Sequence, residues 1–351
     1  MSSKRRTTNP SSFGNHMNFR PGGPDYQRSD FKGTRPTATA ASVPEVLMSL
    51  VMQFCKKIIF YDIKLKACIY LGALFFVSIL GDMLPIPKLY FSRSDNFFNV
   101  YFVKMGWAWT LALSIPFLVL TSKIVCCGDV NRLAKHHLPR IFVATAFWFI
   151  WTKLFNIIEN AYGRCNARGF DSKSTCLRGG HFWSGFDISG HAFILIYSCL
   201  VLIDEARPIV DWELIRDHLR NEEHDRRTND KSLSTNPLRN LGDKEFNELK
   251  TLYEKYTPHI RCLFVAITVL VILWDIMLIC TMLYYHRLIE KILSGIFAIA
   301  TWWVTYQVWY PSQMFSLPKT VGQGLFLYQK KRAKQQTTSV KSRRQSNLSS
   351  K

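Results

Sequence analysis

Cys262-Leu-Phe-Val-Ala-Ile-Thr-Val-Leu-Val-Ile-Leu-Trp274 is the stretch that decides how this chain folds. From Cys262 to Tyr285 the only charged side chain is Asp275. A helix that crosses a bilayer needs roughly 20 mostly apolar residues, and a buried soluble helix seldom sustains such a run. Five further segments meet or approach that length: about 67–84, 103–125, 138–158, 188–204 and 292–310, with the first run extending over 261–285. The chain of 351 residues is 48% hydrophobic, with 10 Trp, 14 Tyr and 25 Phe. Its mean hydropathy is near zero because apolar blocks alternate with very basic ones. The expected fold class is therefore all-α: a multi-pass membrane protein with a six-transmembrane-helix bundle.

Orientation follows from the tendency of Lys and Arg to stay on the cytosolic side of a membrane. Of the 45 basic residues, 35 fall in 1–66, 121–140, 205–261 and 311–351. Nine fall in the alternate loops, and Lys153 lies inside the third segment. Both termini are expected in the cytosol. Residues 1–57 read as a polar, basic tail without a signal peptide, so the first helix is expected to direct insertion. The expected organisation is a disordered cytosolic tail over 1–57, a membrane domain over 58–315 with a cytosolic loop at about 205–260, and a second disordered basic tail over 316–351. Eight basic residues between Lys330 and Lys351 suit an anionic leaflet. The net charge of +20 accompanies no nucleic-acid module, so no nucleic-acid partner is expected. The Asn347-Leu-Ser sequon lies in the cytosolic tail, beyond the glycosylation machinery.

This topology brings two histidines to one face. Ser189-Gly190-His191 opens the fourth segment and His286 closes the fifth, both on the non-cytosolic side. The first-turn N–H groups at Ser189, Gly190 and His191 lack intrahelical partners and sit at the positive end of the helix dipole, a natural place for phosphate. Gly190 lets an anion approach the backbone, Ser189 adds a hydroxyl, and His191 is placed to protonate a departing oxygen. His286 and Glu290 are spaced i, i+4, so a helix continuing through them sets the carboxylate on Nδ1 and leaves Nε2 free. Asp187 lies beside the site and is a candidate substrate-binding residue and cap for the fourth helix. Lys153 shares a helical face with Asn156 and Asn160 and is a candidate phosphate contact. Asp275 reads as a structural hydrogen-bonding group within the bilayer, with a role in a lipid cavity as the alternative. Cys165 and Cys176 share a non-cytosolic loop, where they form either a disulfide or two free thiols. No Cys/His spacing fits a metal site, and no cofactor is expected.

These strings carry a resemblance. Ser189-Gly190-His191 and His286-x-x-x-Glu290 resemble the second and third motifs of the lipid phosphatase superfamily. Gly185-Phe-Asp-Ile-Ser-Gly-His191-Ala-Phe, Tyr284-Tyr-His286-x-x-x-Glu290-Lys291, and Trp302-Trp-Val-Thr-Tyr306 with Trp309-Tyr-Pro311 are similar to the fat storage-inducing transmembrane family, over roughly 58–315. The resemblance implies His286 as nucleophile, His191 as general acid and Glu290 as orienting acid. It also implies fatty acyl-CoA as substrate, cut at its diphosphate to acyl 4′-phosphopantetheine and adenosine 3′,5′-bisphosphate. The implied setting is the lumenal side of the endoplasmic reticulum, in support of lipid droplet formation. The superfamily's first motif, Lys-x6-Arg-Pro, is missing: Arg207-Pro208 lies on the cytosolic side with Leu200 at the Lys position, and Cys280 stands where the third motif has Arg. The second class of function is a non-catalytic membrane protein that binds neutral lipid, diacylglycerol or triacylglycerol, among its aromatic helices.

Overall fold

The computed structural model describes residues 42–85, 87, 89–93, 95–169, 172–228, 236–312 and 321–328. The N-terminal 41 residues and the basic stretch from 329 onward, with its sequon, lie outside them.

Helix α1 (Val43–Ile59) corrects the expectation of a tail reaching residue 57. Glu45 accepts a hydrogen bond from the Ser42 N–H, and Pro44 occupies the first turn, both helix-start signals. Met52, Cys55 and Ile59 recur at helical spacing and are buried, and α1 packs against α9. Helix α2 (Ile63–Met83) follows after a corner, capped by Asp62, whose carboxylate accepts from the Lys64 N–H. A π-helical turn at Phe98–Val103 leads into α3 (Gly106–Val125), then α4 (Val130–His136) and α5 (Leu138–Tyr162).

Past α5 the chain makes a small excursion. Strands β1 (Arg164–Cys165) and β2 (Trp183–Ser184) pair antiparallel around α6 (Lys173–Arg178), and Cys165 and Cys176 are joined in a disulfide. A Cβ on Gly163 would lie 2.1 Å from Trp183 Nε1, so the absence of a side chain lets β2 close onto the end of α5.

Helix α7 (Gly190–Glu205) is the axis of the molecule. Every residue from Ala192 to Glu205 is buried, and α2, α3, α5, α9 and α10 all pack on it. Trp107 of α3 stacks on Tyr197, Phe155 of α5 meets Phe193 edge-on, and Trp151 of α5 stacks on Phe297 of α10. Such ring pairs contribute about 0.5–1.5 kcal/mol each beyond area burial.

Helix α8 (Glu213–Arg227) lies alongside the start of the next helix, with Glu223 paired to Lys250 and Arg226 to Asp243. Helix α9 (Asp243–Tyr284) runs 42 residues, roughly 63 Å, so its first half extends beyond any bilayer core. Helix α10 (Leu288–Trp302) passes into a π-helical segment, Trp303–Trp309. Residues 321–328, expected in the C-terminal tail, instead strap the bundle: Leu325 N–H donates to Val125 O, and Tyr328 hydroxyl to Pro208 O.

Among the described residues five segments are long and apolar enough to cross a membrane: α2, α3, Val130–Tyr162, α9 and Leu288–Ser312. The expected fourth segment is α7. At 16 residues, about 24 Å, it is shorter than these five and enclosed by them. Two ion pairs fasten the interior. Lys66 of α2 pairs with Asp275 of α9 at 2.9 Å, and Tyr70 hydroxyl donates to the same carboxylate at 2.6 Å, so Asp275 joins helices as expected of a structural group. At the opposite end of α7 from His191, Arg140 grips Glu205 through two bonds of 2.8 and 2.9 Å.

Candidate active site

His191 and His286 meet at one end of the bundle. Their ring centroids are 6.2 Å apart, and Tyr285 stacks on His191 at 6.3 Å. His191 lies in the first turn of α7. Ser189, the N-cap, is fully buried, and its hydroxyl accepts from the Ala192 N–H at 3.2 Å. Ser189 therefore builds the helix start from behind. Gly190 faces open space, with nothing within 4 Å of where a Cβ would stand. Ser294 of α10 donates to Ser189 O at 2.6 Å and holds the N-terminus of α7 against α10.

His286 and Glu290 come together by a different route from the one their spacing suggests. Helix α9 stops at Tyr284, and His286 sits in the connecting turn with φ of +57°. Glu290 belongs to the first turn of α10 and accepts from the Arg287 N–H at 2.9 Å. The turn, rather than a continuous helical face, sets Glu290 Oε2 3.7 Å from His286 Nδ1. Lys291 is buried and donates to Met282 O at 2.7 Å, covering one of the last carbonyls of α9. Tyr285 hydroxyl donates to Phe91 O, which ties the turn to the segment before α3.

Asp187 does not cap α7, since Ser189 occupies that position. It faces His286 instead, with Oδ2 3.5 Å from Nδ1. Burial pushes the Asp187 carboxyl above the usual carboxylate range; Glu159 and Glu290 act in the same direction, while His286 and Lys173 oppose it. Glu159 and Lys173 themselves form an ion pair that joins α5 to α6.

The structure does not bring Lys153 to this site. Trp151 and Phe155 turn inward, and two residues along a helix is roughly 200°, so Lys153 is on the outer face. It is exposed there, 5.5 Å from the Phe149 ring centroid. A different cation stands near His191. Lys104 lies between buried Val103 and Gly106, and a Cβ on Gly106 would lie 3.4 Å from Ile194 Cδ1, one turn along α7 from His191. The Lys104 side chain is exposed, makes no ion pair among the described residues, and acts electrostatically on His191. Nothing in the sequence around Lys104 marks it; only the packing of the π-helical turn against α7 reveals it.

The helices and this site define a class: an all-α membrane protein with a histidine pair, backed by carboxylates, at one end of its bundle. The chain belongs to the fat storage-inducing transmembrane protein family, whose model matches residues 87–306. It is 57% identical over 321 residues to the acyl-coenzyme A diphosphatase FITM2 of Drosophila melanogaster, covering 92% of this chain and 75% of that protein. The protein of the same name from Danio rerio is 35% identical over 255 residues, covering 69% of this chain and 84% of its own. That from Homo sapiens is 31% identical over 249 residues, covering 67% and 78%. No solved structure matches the chain.

Proposed function

We propose that this protein is a fatty acyl-CoA diphosphatase of the endoplasmic reticulum membrane, with its histidine pair facing the lumen and both termini in the cytosol. Helix α7 is the sixth span, short because the surrounding five shield it from lipid. The asymmetry of basic residues supports this orientation, and a disulfide at the histidine end suits an oxidising lumen. The relatives named acyl-coenzyme A diphosphatase support the substrate class.

The observation that carries the reaction is the 6.2 Å separation of the two imidazoles across the open front of Gly190. It is too long for a hydrogen bond and fits one phosphoryl group, with reacting atoms about 3–3.5 Å from each ring. The carboxylates lie on the Nδ1 side of His286, so Nε2 is the nitrogen turned to substrate. His286 Nε2 attacks one phosphorus of the diphosphate, and the bridging P–O bond breaks. His191 gives its proton to the departing phosphate oxygen. Water then attacks the phosphohistidine, His191 takes up the water's proton, and hydroxide oxygen replaces nitrogen on phosphorus, returning free His286. The first-turn N–H groups of α7 and the Lys104 ammonium hold the phosphate charge in place of the superfamily's missing cations. The acyl chain runs down along the aromatic helices. Hydrolysis at this site supports lipid droplet formation by altering the acyl-CoA supply at the membrane.

The test is hydrolysis of oleoyl-CoA by purified protein beside His191→Ala and His286→Ala, with phosphopantetheine products read by mass spectrometry. Both variants are expected to lose turnover while inserting normally. Turnover by His286→Ala equal to the parent refutes the covalent route.

A further inference from the structure

Two carboxylates flank Nδ1 of His286, and they are not equivalent. Glu290 Oε2 stands 3.7 Å away, and the same oxygen accepts the Arg287 N–H at 2.9 Å. Its side chain is 7% exposed, in the first turn of α10. An acceptor so placed closes the N-terminus of a helix, and its loss uncaps that helix. Asp187 Oδ2 stands nearer, at 3.5 Å, with a side chain 51% exposed. Among the described residues no backbone N–H engages the Asp187 carboxylate, which is left to face His286.

The segment carrying Asp187 is held from both sides. Trp183 closes over Gly163 just before it, and Ser294 anchors Ser189 just after it. The Glu159–Lys173 pair completes the surroundings of Asp187, and the Cys165–Cys176 bond joins α6, which carries Lys173, to β1. A carboxylate carried on a backbone held from both sides, but itself free of backbone partners, is suited to follow an imidazole through a reaction.

We propose that Asp187 is the positioning residue of His286, and that Glu290 serves mainly to hold the turn in which His286 sits. The assignment rests on the reading of His286 as nucleophile. Asp187 accepts the Nδ1–H, fixes the tautomer that presents Nε2 to phosphorus, and balances the positive charge that the ring acquires as the N–P bond forms. A motif of His with an acid four residues later thus divides here into a structural acid within the motif and a working acid from the segment before α7.

The experiment measures kcat and KM for oleoyl-CoA, and the thermal midpoint, on full-length protein in nanodiscs. The variants are Asp187→Asn, Asp187→Glu and Glu290→Gln, with His286→Ala as control. Asp187→Asn is expected to lower kcat at least about 100-fold, leave KM within about twofold, and leave the midpoint unchanged. Asp187→Glu restores at least about a tenth of the parental kcat, a rescue that a purely structural role does not give. Glu290→Gln lowers the midpoint and costs less in kcat than Asp187→Asn. If Asp187→Asn fails to fold, Asp187→Glu decides alone, and a kcat below about a hundredth of the parent overturns the assignment. Asp187→Asn with kcat within about threefold of the parent, beside an inactive His286→Ala, overturns this assignment alone. An active His286→Ala overturns the nucleophile reading on which it rests.

Discussion

Replacing Arg140 with Met should be among the most damaging single changes in the protein. Arg140 and Glu205 side chains are each 2% exposed and joined by two short bonds, with Tyr306 hydroxyl donating to the same carboxylate. Met fills much of the volume but leaves Glu205 buried with the Tyr306 hydroxyl as its remaining close partner. Breaking a buried pair from one side costs about 3–5 kcal/mol, roughly 10²–10⁴ in the unfolding equilibrium. Removing both partners leaves no uncompensated charge and is often neutral or stabilising. Unfolding in mixed micelles should therefore show Arg140→Met and Glu205→Leu each destabilised on that scale, with the double variant recovering most of the loss. A double variant as unstable as the sum of the singles would refute the reasoning, because the two sites would then act independently. Helix α7 carries His191 at its other end, so loosening Glu205 should also lower turnover.

Three further outcomes follow from the site and the excursion beside it. Lys104→Ala should raise KM for oleoyl-CoA about tenfold with kcat within about threefold, read by steady-state kinetics, as expected for a cation that contributes about 1.4 kcal/mol of uniform binding. Lys153→Ala should leave both constants unchanged in the same assay, because its side chain lies on the outer face of α5. Joint replacement of Cys165 and Cys176 by Ser removes a cross-link closing a short loop, worth about 3 kcal/mol in the chain-entropy account. Limited proteolysis should then cut the excursion between Arg164 and Ser184 in the variant and spare it in the parent.

Much of this architecture is legible in the chain because membrane helices announce themselves through long apolar runs. Helices α2, α3 and α5 lie within a few residues of the expected segments; α9 ends where expected, at Tyr284, but begins 18 residues early, at Asp243, in the expected cytosolic loop, and the last expected segment is divided between α10 and the π-helical run to Trp309. What hydropathy does not carry is the neighbourhood of a helix: α7 is as apolar as its neighbours, and only packing distinguishes a central helix from a peripheral one. Two features were present in the sequence but outweighed by charge. The Met52, Cys55 and Ile59 spacing of α1 lies beside Lys56 and Lys57. The inward register of Trp151 and Phe155 already turned Lys153 away. The histidines and their common face were legible from topology alone. Asp187 was legible as a residue beside the site but not as a neighbour of His286, and Tyr285 and Lys104 were not distinguished, because each reaches the site through a turn whose path is set by tertiary contacts.

The conformation of His286 shows why those contacts matter. A non-glycine residue at φ of +57° is disfavoured by about 1–2 kcal/mol in isolation, and it persists where the surroundings over-determine it. Here they do. Tyr285 N–H bonds to Thr281 O, Tyr285 hydroxyl to Phe91 O, Arg287 N–H to Glu290, and Lys291 to Met282 O. At about 1 kcal/mol each, these bonds exceed the strain of one residue. The opposing imidazole is fixed just as firmly, since α7 is held at Ser189 by Ser294 and at Glu205 by Arg140 and Tyr306. The spacing of the two rings is thus set by two separate anchorages, one on the α9–α10 turn and one on α7. A change that loosens either anchorage should alter the 6.2 Å separation, and with it the rate, without touching a histidine.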